Sequence, residues 1–186
     1  ALDVPLATAL CVAIEEADSS EAVRAIVVTG RGDAFTAGAD VSLFAAPSIT
    51  VGSGQRNPSA IYQVLMSCRT PVIAAVNGVA VGMGVTLLPH FDLVYASEDA
   101  SFMTPFVKLG LCAEFGSSRT LFQLLGKFRA SELILRGRAI DARTAASWGL
   151  VGRVFPGEQF MDEVLAVADD LAALPPGTMQ KNKELI

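Results

Sequence analysis

Asn77-Gly78-Val79-Ala80-Val81-Gly82-Met83-Gly84 is the stretch on which the fold of this chain turns. A β-branched run passes into closely spaced glycines and then into Val85-Thr86-Leu87-Leu88, the pattern of a strand, a Gly-rich turn and a helix. Ala34-Phe35-Thr36-Ala37-Gly38-Ala39-Asp40 has the same form earlier in the chain. A helix start leaves backbone N–H groups without intrahelical partners. Two such turns converging on one point would hold a developing negative charge, as an oxyanion hole does. Either segment alone reads more simply as a tight strand-to-helix turn with no chemistry. The spacing of Gly78, Gly82 and Gly84 does not follow GxGxxG, which argues against a dinucleotide site.

Outward from these turns, short apolar runs alternate with helical patterns. Residues 24–29 contain Ala25-Ile26-Val27-Val28, a run suited to a strand buried on both faces, and residues 72–76 and 93–96 read alike. Helices are expected over 6–17, 60–68, 118–125, 130–135, 142–148 (with Asp141 as N-cap) and 158–174, and a strand over 151–155. Residues 49–57 are Gly/Ser-rich and read as a loop. The alternation indicates an α/β fold.

A length of 186 residues suits a single domain, and 52% apolar with 18% charged residues is the composition of a globular chain. The net charge of -5 argues against an extended nucleic-acid surface. Residues 71–91 carry no Asp, Glu, Lys or Arg and are long enough for a membrane span. Asn77, Gly78, Gly82, Gly84 and Pro89 interrupt them, so a buried strand, turn and helix fit better. No signal peptide is evident at the N-terminus. Cys11, Cys68 and Cys112 are odd in number and widely spaced, which points to a reducing, cytoplasmic setting without disulfides. One histidine and no clustered carboxylates argue against a catalytic metal. That histidine, His90, has no nucleophile-elbow motif beside it and reads as structural, and not as part of a triad with Ser117 and Asp92. Asp40 and Asp92 read as turn and capping residues.

Taken as a pair, the two glycine segments resemble the signature segments of the enoyl-CoA hydratase/isomerase (crotonase) superfamily, and the resemblance runs over nearly the whole chain. It implies an α/β spiral of repeated ββα units, although no internal sequence repeat is detectable. Residues 1–186 would form one such domain, lacking the opening strand hairpin and the C-terminal helices of similar proteins. By resemblance Ala39 and Met83 supply the oxyanion N–H donors, and Ala37, Ala39, Asp40, Gly82 and Met83 contact the substrate. That substrate would be an acyl-CoA thioester, with coenzyme A entering as part of it and no separate cofactor. A homotrimer or hexamer is implied too, a reading that the apolar Trp148, Leu150 and Phe155 also suggest. Lys181 and Lys183 are phosphate neighbours or, more simply, solvated surface lysines.

An oxyanion hole only polarises the thioester carbonyl; a proton must also move. At the two positions where hydratases of this superfamily carry glutamates, the chain has Thr86 and Phe106. Hydration needs both an activated water and protonation of the α-carbon, so this loss argues against it. A different carboxylate stands in Leu109-Gly110-Leu111-Cys112-Ala113-Glu114-Phe115-Gly116-Ser117-Ser118, which resembles the segment bearing the catalytic glutamate of peroxisomal-type Δ3,Δ2-enoyl-CoA isomerases. One base suffices for a double-bond shift, and apolar neighbours such as Phe115 would raise the pKa of Glu114. The plainer reading of Glu114 is a loop or helix-start carboxylate. The expectation is therefore a 3-enoyl-CoA to trans-2-enoyl-CoA isomerase. A hydratase of unusual residue usage and a non-catalytic acyl-CoA-binding subunit are the alternatives.

Overall fold

A computed structural model describes residues 1–40 and 52–186 of the protein. The helix expected after Asp40, and part of the loop expected over 49–57, lie outside the described residues. The elements in chain order begin with α1 (Val4–Ser19), β1 (Ile26–Thr29), β2 (Ala34–Thr36) and α2 (Ala60–Ser67). Next come β3 (Val72–Val76), β4 (Val79–Val81), α3 (Met83–Thr86), a 3-10 turn (Leu88–His90), β5 (Leu93–Ser97) and β6 (Ser101–Met103). After them follow α4 (Ser117–Leu125), α5 (Lys127–Ser131), β7 (Ile140–Asp141), α6 (Ala142–Trp148), β8 (Arg153–Phe155), α7 (Phe160–Ala172) and α8 (Pro176–Leu185).

The strands divide between two sheets, ordered β1-β3-β5-β8 and β2-β4-β6-β7. Every pairing is parallel except β6 with β7. Successive strands alternate between the sheets before a helical segment returns the chain: β1-β2, β3-β4-α3 and β5-β6-α4 are turns of one spiral of ββα units. The sequence carries no repeat because each turn is filled by different side chains. β3 lies between β1 and β5, which explains its unbroken apolar composition: all five of its residues are buried.

Three apolar clusters pack around the sheets. The largest joins Val76, Ala80, Phe102, Leu121 and Leu133, and a second joins α1 and α2 to Met83 and Leu87. The third seats Phe160 and Val164 of α7 against Ile73 and Ala75 of β3. Asp141 caps α6 as expected, accepting from the Thr144 N–H at 2.7 Å. No helix among the described residues is long and apolar enough to cross a membrane.

Some expectations need correction. The helix expected near Met83 is a single turn of four residues, after which the chain tightens into the 3-10 turn. Leu150 and Phe155, expected at an assembly surface, are each 2% exposed and belong to the chain's own core. Lys183 is no solvated lysine: its ammonium pairs with Asp92 Oδ2 at 2.6 Å and donates to the Thr70 carbonyl at 2.9 Å. Asp92 also accepts from the Val72 N–H at 2.7 Å, so it ties α8 to the start of β3. Lys181 remains exposed, paired with Glu184.

Candidate active site

Parallel pairing brings the two glycine turns together. β2 and β4 lie side by side, Ala34 opposite Val79 and Thr36 opposite Ala80, so both strands end at the same edge of their sheet. The chain leaves β2 through Gly38 (φ +88°) and β4 through Gly82 (φ +54°), conformations that a side chain strongly disfavours. A Cβ on Gly38 would stand 2.7 Å from the Val81 carbonyl oxygen and 3.6 Å from the Met83 nitrogen. The two turns are thus in direct contact, and glycine is what lets them be.

Among the described residues, the local bonding leaves Ala39 N–H open on the first turn and Met83 N–H open on the second. Leu2 forms a parallel bridge with Ala39: its N–H donates to the Gly38 carbonyl at 2.7 Å, and its carbonyl accepts from Asp40 N–H at 3.0 Å. In such a bridge the middle residue directs its own N–H and C=O to the opposite side. Ala39 N–H consequently faces away from Leu2. Met83 is the first residue of α3, so its N–H has no intrahelical acceptor. Gly82 holds that helix start in place, donating to the Met103 carbonyl at 2.8 Å and accepting from Val85 and Thr86. Neither Ala39 N–H nor Met83 N–H has an acceptor among the described residues.

Glu114 lies in an irregular segment after β6. Its backbone carbonyl accepts from the Ser117 N–H at 2.9 Å, closing a turn whose central residues are Phe115 (φ +52°) and Gly116 (φ +65°). Positive φ at both central positions is the geometry of a type I′ turn, which glycine or asparagine usually supplies. Holding a phenylalanine there costs about 1–2 kcal/mol. The Phe115 side chain recovers some of this by packing, as Ala39 does, against the cluster that contains Met83, Ile61, Leu65 and Leu87. The neighbour of Glu114 thereby shares one apolar cluster with both turn residues. Glu114 itself is half-buried, and burial alone pushes its carboxyl up to about 6. Ser117 Oγ is fully buried at the start of α4 and has no hydrogen-bond partner among the described residues.

His90 and the two hydratase positions complete the surroundings. His90 Nε2 lies 3.1 Å from the Phe115 carbonyl, and Tyr62 of α2 packs edge-on against its ring at 4.7 Å and 88°. Desolvation lowers the pKa of His90. A carbonyl can only accept, so Nε2 carries the ring proton. Thr86 is fully buried, with only a long 3.5 Å contact from its hydroxyl to the Met83 carbonyl. Phe106 is 5% exposed, and its Cε1 lies 3.8 Å from where a Gly82 Cβ would be. Neither position offers a proton acceptor.

A cavity of about 420 Å³ opens between α1, β1, β2 and α2, with an apolar lining that includes Leu6, Leu10, Phe35 and Leu65. Thr36 and Ala37, just before Gly38, border it; Ala39, Met83 and Glu114 do not. The structure therefore gathers Ala37, Ala39, Asp40, Gly82 and Met83 at adjoining turns, with Glu114 linked to them through Phe115. His90 as the partner of the Phe115 carbonyl is the contact that the sequence reading misses. Its only sequence signal is a lone polar ring inside an otherwise apolar stretch.

Parallel strands alternating between two sheets, with paired glycine turns at a common edge, define the ββα spiral class. The chain belongs to the enoyl-CoA hydratase/isomerase family, whose profile matches residues 1–186. It is 37% identical over 181 residues to enoyl-CoA delta isomerase 2 of Rattus norvegicus, covering 95% of this chain and 46% of that protein. It is 32% identical over 173 residues to the 2,3-dehydroadipyl-CoA hydratase of Escherichia coli (strain K12), covering 93% of this chain and 68% of the relative. The crystal structure of an enoyl-CoA hydratase/isomerase from Pseudoalteromonas atlantica T6c superposes with a TM-score of 0.91 at 40% identity, over 100% of this chain and 73% of that one. The chain spans less than half the length of the delta isomerase it matches.

Proposed function

We propose that this chain is the catalytic core of an acyl-CoA isomerase that shifts a 3-enoyl-CoA double bond to the trans-2 position. In this reading the thioester carbonyl oxygen accepts from the N–H groups of Ala39 and Met83, with Ala37, Asp40 and Gly82 lining the approach. Glu114, as carboxylate, takes a proton from C2; the electron pair spreads over the dienolate, whose oxygen the two N–H groups stabilise. The same carboxyl then returns the proton to C4, so no co-reactant and no separate cofactor is consumed. Each backbone donor is worth about 3 kcal/mol to such a transition state.

The observation that carries the reading is the contrast between Glu114 and the other two positions. Glu114 is a carboxyl without a partner among the described residues and raised toward neutrality by burial, whereas Thr86 and Phe106 cannot act as bases. A carboxyl with a pKa near the working pH is suited to taking up and returning one proton. Relatives named as hydratases favour a second reading, hydration of a 2-enoyl-CoA. A spectroscopic assay with 3-enoyl-CoA and 2-enoyl-CoA side by side tests both. Migration of the 3-double bond without water addition is expected; addition of water to 2-enoyl-CoA at a comparable rate would overturn the isomerase reading. Binding of coenzyme A esters without any turnover would instead mark a non-catalytic subunit.

Self-association is proposed as well, as a homotrimer or a hexamer. In place of Leu150 and Phe155, the support lies in Leu124, Phe128 and Leu135, which are 46%, 84% and 64% exposed on the helical segments after Gly116. Sedimentation at monomer mass across the micromolar range would contradict it.

A further inference from the structure

We infer that His90 is a positioning residue for Glu114: its Nε2–H bond to the Phe115 carbonyl holds the turn that aims the carboxylate. This rests on the reading of Glu114 as the base. Phe115 is the non-glycine residue with positive φ among those described, and it adjoins Glu114. A side-chain-bearing residue keeps such a conformation only where its surroundings over-determine it, and two contacts do so here. The ring is gripped by the apolar cluster around Leu65 and Leu87, and the carbonyl by His90 at 3.1 Å.

The imidazole is itself fixed. Tyr62 meets it edge-on from α2, and its backbone N–H donates to the Leu87 carbonyl at 3.0 Å. Most telling is the origin of His90. Met83 opens the helical stretch that His90 closes, Leu87 N–H donating back to the Met83 carbonyl at 3.0 Å. One short rigid segment thus carries an oxyanion donor at its first residue and the clamp on the base's turn at its last. The bond to Phe115 sets the base relative to the donor, and proton transfer is steeply sensitive to such placement.

Two substitutions and one spectrum test this. His90→Met keeps similar volume and removes the donor; His90→Gln keeps an N–H donor at about the same reach. With 3-enoyl-CoA as substrate, His90→Met is expected to lower kcat by about 10- to 100-fold, the scale of a misplaced catalytic group, with KM changed less than about twofold. His90→Gln is expected to restore kcat to within about threefold of the parent. Unchanged kcat in His90→Met, equal losses in both variants, or a loss confined to KM would each overturn the inference. Should His90→Met fail to fold, the parent protein still decides. His90 is the only histidine in the chain, so its ring nitrogens give one assignable set of ¹⁵N resonances. A neutral ring protonated at Nε2 is expected, and protonation at Nδ1 alone would overturn the proposal. Glu114→Gln, run alongside, separates the two ideas: if it retains turnover, the base assignment fails, whatever the His90 variants do.

Discussion

The glycine turns and the Glu114 turn meet in one apolar cluster but are built on opposite principles. At Gly38 and Gly82 the groups that the proposed function uses belong to the backbone, and their placement follows from parallel strand pairing, the most regular feature of the fold. At Glu114 the useful group is a side chain, held by an irregular turn whose positive-φ position is filled by phenylalanine. Backbone donors need only the correct path of the chain, so the side chain of Met83 answers to the apolar cluster it fills and not to chemistry. A base needs one particular side chain in one environment, and the chain accepts strain next to it. In the proposed isomerase, regular structure places the groups that would stabilise charge, and irregular structure places the group that would move the proton.

Breaking the second region alone gives the largest expected effect. Glu114→Gln leaves both N–H donors in place, so turnover of 3-enoyl-CoA falls by at least about 100-fold while acyl-CoA affinity, measured by titration, changes little. Near-normal isomerisation in this variant would dissolve the contrast between the regions.

Breaking the first region costs both activity and stability. Gly38→Ala places a methyl 2.7 Å from the Val81 carbonyl oxygen at φ +88°. Turnover is expected to fall toward about 100-fold as the Ala39 donor shifts. Overpacking adds a stability loss of about 1–3 kcal/mol in denaturant titration. Full stability with reduced turnover would mean that the turn moves without strain.

Titration sharpens the comparison, since the proposed base titrates and the proposed backbone donors do not. The base must be ionised to act, so kcat/KM is expected to fall as pH drops through about 6. For stability, the folded carboxyl binds its proton more tightly than the unfolded one, at about 6 against 4.5. The folded state therefore loses stability as pH rises through that window, and keeps the loss above it. Glu114→Gln should melt above the parent at pH 7 and close to it at pH 4. An acid limb unchanged in position in variants that expose Glu114 would remove burial as the cause.

The smallest expected effect is at Thr86. Its hydroxyl makes only a 3.5 Å contact, so Thr86→Ala should change turnover little, at a stability cost of about 1–2 kcal/mol for the buried methyl. A large turnover loss there would give α3 a side-chain role.

What could be read from sequence follows the same division. Val72-Ile73-Ala74-Ala75-Val76 declares a strand buried on both faces because every position is apolar, and the glycine turns show in composition alone. Ser101–Met103 and Ile140–Asp141 are too short to display a period, and only their pairing with β4 and β6 makes them strands. α8 lacks an apolar stripe, so nothing local marks how it docks. The paired glycine turns were legible in composition, but the roles proposed for Ala39 and Met83 came by resemblance. Glu114 was legible only by resemblance, because its raised pKa depends on residues that folding brings to it. The bond between His90 and Phe115 was invisible: nothing about phenylalanine announces a positive φ.

The clasp formed by Lys183, Asp92 and Val72 has a consequence for how the molecule breathes. α8 has no buried residue, so little apolar surface holds it to the rest of the chain. Its grip is an ammonium on a carboxylate that also receives a strand N–H, at side-chain exposures of 16% and 20%. Such a helix exchanges its amide hydrogens by lifting off locally, long before the parallel sheet opens. The Val72 N–H at the start of β3, the most deeply buried strand, donates to that same Asp92 carboxylate, so the last helix and the central strand share one anchor.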